Sequence, residues 1–194
     1  MINKDILDSI IEHKRISQIL VLKDFCTEVP SWQEFIDYID ESSKVTDSKM
    51  PDEPSEYDLS LGAVIKGNIM IKQSFYFYLA SHRHVGKTEE ISNSLVRDLQ
   101  APGGLSTFYI NFSSNINNIP SHKDALDNFY WQCIGSTEWL CEDRVYVVNP
   151  GDLVYIPANT HHAVNFSMPR AAIGFASVLS ESKLFSTAPL EGVF

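Results

Sequence analysis

From residue 108 the chain reads FYINF (108–112), NFYWQCIG (128–135), TEWLC (137–141), RVYVV (144–148), DLVYIP (152–157), HAVNF (162–166) and AAIGFASVL (171–179). Each run is short and rich in aromatic and β-branched residues, which suit the pleated, half-buried surface of a strand. Gly-Ser, Glu-Asp, Asn-Pro-Gly, Ala-Asn-Thr and Met-Pro stand between them, residues that turn a chain. Short strands at nearly regular intervals predict a sandwich or barrel from Leu105 onward.

The front of the chain reads as mixed structure. Ile2, Ile6, Leu7, Ile10 and Ile11 recur at helical spacing, which predicts an amphipathic helix. ISQILVL (16–22) predicts a strand. Pro30-Ser31-Trp32-Gln33-Glu34 predicts the start of a second helix, with Ser31 as its cap and Glu34 closing a capping box. Residues 42–58, with Pro51, Pro54 and scattered acids, predict a loop. A third helix is expected from Thr88, with Glu89 and Glu90 in its first turn, ending before Pro102. There is no fixed-period repeat. The expectation is a single domain over 1–194: a mixed α/β front segment with helices over 1–104 and a β core over 105–180.

The composition narrows the function classes. The chain has 194 residues, 15 basic and 25 acidic, for a net charge of −10. Such a length buries enough surface to fold without a disulfide. With 44% hydrophobic and 21% charged residues it lies outside the disordered range. No apolar run reaches the ~20 residues of a membrane span, and MINKDILDSI (1–10) lacks the apolar stretch of a signal peptide. Cys26, Cys133 and Cys141 are odd in number and form no C-x-x-C pair, so a cytoplasmic, reducing location is expected. Residues 1–60 hold 14 acids and 6 bases, while 61–123 hold 3 acids and 6 bases. That middle could attract one small anion, but no continuous basic footprint is present, which argues against nucleic acid as a partner. Neither a Walker loop nor a Gly-x-Ser-x-Gly elbow is present.

The sharpest chemical signal is His122-x-Asp124 followed by His162. If His122 and Asp124 lie on one strand, both project from the same face. A histidine from a distant strand would complete a two-histidine, one-carboxylate metal site with open positions, a set that suits Fe(II). An unbroken strand would continue that face through Asn128, Tyr130 and Gln132, leaving Phe129, Trp131 and Cys133 on the other. An H-x-D triplet alone is weak; its surroundings give it weight.

Those surroundings, PSHKDALDNFYWQCIGSTEWL (120–140) and NPGDLVYIPANTHHAV (149–164), resemble the JmjC and cupin-like branch of the Fe(II)/2-oxoglutarate oxygenases. The matching residues are Pro120, His122, Asp124, Asn128, Phe129, Gln132, Gly135, Pro150, Gly151, Asp152, Tyr155, Ile156, Pro157 and His162. The resemblance covers about residues 105–178. It implies a mainly β fold, a double-stranded β-helix (jelly-roll or cupin-like barrel) with the N-terminal helices packed outside. It further implies Fe(II) held by His122, Asp124 and His162, and 2-oxoglutarate as cosubstrate. Asn128, Tyr130, Thr137, Arg170 and Tyr109 are then the candidate cosubstrate contacts, with Tyr76 and Tyr78 as further hydroxyl donors. The implied reaction hydroxylates a peptide, protein or small-molecule substrate, and relatives suggest a homodimer.

The sequence departs from that pattern where relatives anchor the distal carboxylate of 2-oxoglutarate. Thr137 stands in place of the usual lysine and Ile119 in place of a threonine. Arg170, eight residues after His162, is the candidate replacement cation. A rival metal set is His82, His84 and Glu89 with His162, which resembles the two halves of the cupin motif, Asn159 replacing a glycine. That reading gives a cupin-type metal enzyme or a binding protein acting without 2-oxoglutarate.

Overall fold

The computed structural model describes residues 3–43, 64–66, 69–72, 76–81, 106–111, 117–166 and 169–177. The chain runs α1 (Lys4–Arg15), β1 (Leu20–Leu22), α2 (Trp32–Ser43), β2 (Val64–Lys66), β3 (Ile69–Lys72), β4 (Tyr76–Ser81), β5 (Ser106–Asn111) and β6 (Asn117–His122). It continues through β7 (Asp127–Ile134), β8 (Thr137–Cys141), β9 (Arg144–Val148), β10 (Leu153–Ile156), β11 (His162–Phe166) and β12 (Arg170–Ser177). One sheet has the order β1-β10-β7-β12-β5-β4-β3-β2 and the other β6-β11-β8-β9. All pairings among the described residues are antiparallel. From β5 to β12 the chain changes sheet at every step except the β8–β9 hairpin. This winding is a double-stranded β-helix, mainly β as expected, whose two sheets remain open rather than closing into a barrel.

Both helices form for reasons visible in the residues. Asn3 caps α1, its side chain accepting from the Ile6 N–H at 2.9 Å. The capping box of α2 is present: Glu34 N–H donates to Ser31 Oγ at 3.3 Å, and Ser31 N–H donates to Glu34 Oε2 at 2.7 Å. The strand expected over 16–22 is shorter, Leu20–Leu22. Ser17 is left-handed at φ 52°, and the Ile16 and Gln18 amides still bond to Glu12 and His13 of α1, so the helix exit consumes the first residues. Strands β2, β3 and β4 lie in the front segment, in addition to the strand that the sequence reading places at 16–22. The third helix expected from Thr88 lies outside the described residues, as does most of the 42–58 loop, whose first residues Ser42 and Ser43 close α2.

Strand β7 separates two cores. Phe129, Trp131 and Cys133 face outward with Leu153, Tyr155, Ile110, Ala171, Ile173 and Phe175, and are covered by Ile6, Leu7 and Ile10 of α1 and Trp32 and Phe35 of α2. The second cluster lies between the sheets and contains Trp139, Cys141, Val148, Val154, Ile156, Val164 and Phe166, with Tyr109 and Tyr130 against it. The helices therefore pack outside the large sheet. Burial pushes the Cys133 thiol well up, and that of Cys141 up as well, leaving both as protonated core groups.

The family-like motifs have local physical reasons. Gln132 Nε2 donates to the carbonyls of Ile134 and Gly135 at 2.8 and 3.0 Å, fixing the β7–β8 turn. Gly135 has φ 69°, and a Cβ there would lie 2.6 Å from the Pro169 carbonyl oxygen. Asp152 accepts from Lys23 Nζ at 2.7 Å and from the Asn149 and Asp24 amides at 2.8 and 3.0 Å, tying the β9–β10 turn to the chain beyond β1.

Candidate metal centre

Side chains of both sheets pack together in the interior. Asn128, Tyr130 and Gln132 of β7 point inward, as the alternation predicts. His122 of β6 and His162 of β11 are cross-strand partners at one end, beside the level of Asn128. Tyr130, Trp139, Val164 and Tyr109 form the middle. Thr137, Gln132, Phe166 and Arg170 form the far end. His162 and Phe166 are four residues apart on one strand, about 13 Å at the usual rise.

Asp124 does not continue the His122 strand. Strand β6 ends at His122, and residues 123–126 make the corner that carries the chain into the other sheet. A corner replaces the unbroken strand because His122 pairs with β11 and Asp127 begins a strand pairing with β10 and β12. The corner nevertheless turns the carboxylate back to the histidines. Nε2 of His122 lies 4.0 Å from Asp124 Oδ1, and Nε2 of His162 lies 3.7 Å from Oδ2. These separations are too long for hydrogen bonds and exceed the about 3.0 Å between neighbouring donors of an octahedral metal with bonds of about 2.1 Å, so the three groups would draw together around an ion. The three candidate ligand atoms lie within 4.8 Å of one another.

The donor set suits a divalent metal. Nδ1 of His122 is 2.9 Å from the Pro120 carbonyl and Nδ1 of His162 is 3.0 Å from that of Thr160. A proton on each Nδ1 satisfies those carbonyls and leaves the Nε2 lone pairs facing the carboxylate. Burial pulls the His162 pKa down, helped by the neighbouring His122 and His161, against the Thr160 carbonyl and Asp124; the net shift is downward and favours a neutral imidazole. Asn128 Nδ2 donates to Asp124 Oδ2 at 2.6 Å, and the Asn159 amide donates to the Asp124 carbonyl at 2.7 Å. Asn159 adopts the left-handed φ of 61° that this approach requires. His162 is buried, whereas the side chains of His122 and Asp124 are 38% and 32% exposed, so one side of the group opens to solvent.

The other sequence candidates fall at defined places. Thr137 is buried; its hydroxyl accepts from Trp139 Nε1 at 2.9 Å and donates to Gln132 Oε1 at 3.4 Å. Tyr130 lies against Tyr109 and Trp139, at ring separations of 5.3 and 4.9 Å. Gly174 makes room for both tyrosines: a Cβ there would come 2.8 Å from Tyr109 Cε2. Arg170 is buried, in register with Asn111, and its guanidinium carbon is 4.0 Å from the Phe166 ring centroid. Tyr76 and Tyr78 lie on β4, with Tyr78 in register with Tyr109. His82, His84 and Glu89 lie outside the described residues.

Three participants escaped the sequence reading. Trp139 packs on His162 with ring centroids 5.7 Å apart. Asp127 opens β7 and is buried, accepting from Lys14 Nζ, Tyr155 Oη and the Ala158 amide. Lys14 is the third, on a helix 113 positions earlier, and no short-range pattern connects it to this corner.

Fold and site together define a double-stranded β-helix with a His-Asp-His group able to hold a metal at the open end of its interior. No protein-family model and no curated protein matches the sequence. Among solved structures the chain is similar to two of the ribosomal oxygenase YcfD of Escherichia coli. The matches have TM-scores of 0.56 at 14% and 13% identity, covering 94% of this chain and 55% and 53% of the other. This likeness is one of fold, and the chain spans about half the length of that oxygenase. A cupin superfamily protein of Desulfitobacterium hafniense aligns over 38% of this chain and 66% of its own, at 14% identity and a TM-score of 0.35. Among the described residues no helix is long and apolar enough to cross a membrane.

Proposed function

We propose that this chain is a non-haem Fe(II) oxygenase that uses 2-oxoglutarate to hydroxylate a peptide or small-molecule substrate. The observation that carries this reading is the convergence of His122, Asp124 and His162 with both Nδ1 atoms held by carbonyls and one side open to solvent. Two neutral imidazoles and one carboxylate leave half the coordination positions of an octahedral metal for cosubstrate and oxygen. Bound iron and 2-oxoglutarate would supply the oxidising chemistry: dioxygen places one oxygen in the substrate C–H bond and the other in succinate, with carbon dioxide released.

The protein's part is binding, orientation and exclusion of water. Asn128 fixes the Asp124 carboxylate, and the Asn159 amide fixes the Asp124 main-chain carbonyl. Trp139, Tyr130 and Tyr109 form an aromatic inner wall behind the metal group. Arg170 is the cation at the far end, where a distal carboxylate needs a charged partner. The substrate approaches from the side on which His122 and Asp124 are exposed.

Anaerobic titration of the Fe(II)-loaded protein with 2-oxoglutarate tests this directly. A saturable visible charge-transfer band is expected, lost or strongly weakened in Arg170→Met. One iron per chain with no band would refute the cosubstrate, and no bound iron would refute the oxygenase.

One observation favours a second reading, a cupin-type metal enzyme acting without 2-oxoglutarate. The Thr137 hydroxyl, at the position of the usual lysine, is taken up by Trp139 and Gln132, and the Trp139 indole stands between it and His162. Iron binding with no 2-oxoglutarate band is the outcome that selects this alternative.

A further inference from the structure

The buried carboxylate of Asp127 has no role in the chemistry proposed above, yet it is the most heavily bonded acid near the site. It is 2% exposed. Lys14 Nζ of α1 donates to its two oxygens at 2.9 and 2.8 Å, Tyr155 Oη donates to Oδ1 at 3.0 Å, and the Ala158 amide donates to Oδ1 at 3.1 Å. Each donor comes from a different part of the chain: the outer helix, strand β10, and the turn between β10 and β11. That turn also carries the Asn159 amide that holds the Asp124 carbonyl and the Thr160 carbonyl that orients His162. Asp127 itself follows the 123–126 corner and precedes Asn128, whose amide holds the Asp124 carboxylate.

We infer that Asp127, charged and paired with Lys14, is a positioning residue that sets the geometry of the His122-Asp124-His162 group by locking helix α1, the corner and the β10–β11 turn at one point. This rests on the metal reading above and extends it to residues that touch no ligand. A buried carboxylate held by one ammonium and two neutral donors keeps a fixed place only while its charge is matched. Removing the ammonium takes away the donor that bonds both oxygens of this buried carboxylate, and with it the tie from α1 to the corner and the turn. Tyr155 stays a donor throughout, because burial and the Asp127 charge push its hydroxyl well above its ordinary range.

The test uses Co(II) as an optical probe of the full chain, reading both its dissociation constant and its ligand-field spectrum. Lys14→Met keeps the apolar stem and removes the charge; Lys14→Arg restores a cation. Tyr155→Phe removes one donor from the same carboxylate and serves if Lys14→Met does not fold. Ile10→Val loosens the same helix without touching Asp127. The expected result is about tenfold weaker Co(II) binding in Lys14→Met, the range typical of groups that orient metal ligands. A changed spectrum should accompany it, with substantial recovery in Lys14→Arg, a change of the same sense in Tyr155→Phe, and an unaltered spectrum in Ile10→Val. Wild-type affinity and spectrum in Lys14→Met, or losses that merely follow the melting temperature as in Ile10→Val, overturn the inference while leaving the metal centre intact. Failure of the wild-type chain to bind Co(II) overturns the metal reading itself, a result distinguishable from the other two.

Discussion

Replacing Asn128 by alanine isolates the contribution of a single hydrogen bond to the metal group. The amide nitrogen is 2.6 Å from Asp124 Oδ2, and the residue is 9% exposed, so solvent has little room to replace it. A hydrogen bond to a charged group contributes about 1.5–3 kcal/mol. A loss of about 1.4 kcal/mol is a tenfold change in affinity, which agrees with the ~10–100-fold effect expected for a group orienting a metal ligand. At a metal concentration about one hundred times the wild-type Kd, binding stabilises the folded chain by about 2.7 kcal/mol, and a tenfold weaker site by about 1.4 kcal/mol. Each kcal/mol moves Tm by about 2–4 °C for a chain of this size. Scanning calorimetry with and without Co(II) should therefore show a metal-induced rise of about 5–11 °C in the wild type and about half of that in Asn128→Ala. An equal rise in the two proteins would refute the role of Asn128 in holding Asp124.

Gly174→Ala places a methyl group 2.8 Å from Tyr109 Cε2 and 3.1 Å from Tyr130 Cε1; a stability loss of about 1–3 kcal/mol by urea unfolding is expected, and no loss would mean the interior yields freely. Ser31→Ala removes the cap of α2 and should cost about 1 kcal/mol in the same assay. The Asp152 pKa, which burial raises, is brought net below its ordinary value by hydrogen bonds from Lys23 and the Asn149 and Asp24 amides. A depressed folded-state value means this stability is complete above about pH 4 and is lost as the pH falls through the folded value. The advantage of wild type over Lys23→Met in chemical unfolding should accordingly shrink on acidification, and a constant difference would refute the pairing.

The strands from β7 onward were legible because each carries its own β-branched and aromatic pattern and is bounded by turn residues. The two faces of β7 were likewise correct: Phe129, Trp131 and Cys133 face the helices, and Asn128, Tyr130 and Gln132 the interior. Strand β6 was harder to read, since Asn117–His122 contains asparagines and Pro120 and owes its form to pairing with β11. The transfer of the chain between sheets at 123–126 leaves no local period, so Asp124 was assigned to the His122 strand although it stands on a corner. The residues of the metal group could be named from spacing and resemblance; their convergence needed the fold. The Lys14–Asp127 pair was invisible because its partners are 113 residues apart and neither position is unusual by itself.

Trp139 gives the site a reporter of its own. Its ring lies 5.7 Å from that of His162, while Trp131 and Trp32 belong to the core on the other side of the large sheet. A paramagnetic ion bound to His162 would quench the emission of the near indole far more than that of the other two. Occupancy can thus be followed on the unlabelled protein by light alone, in a mixture and in real time, before any substrate is known.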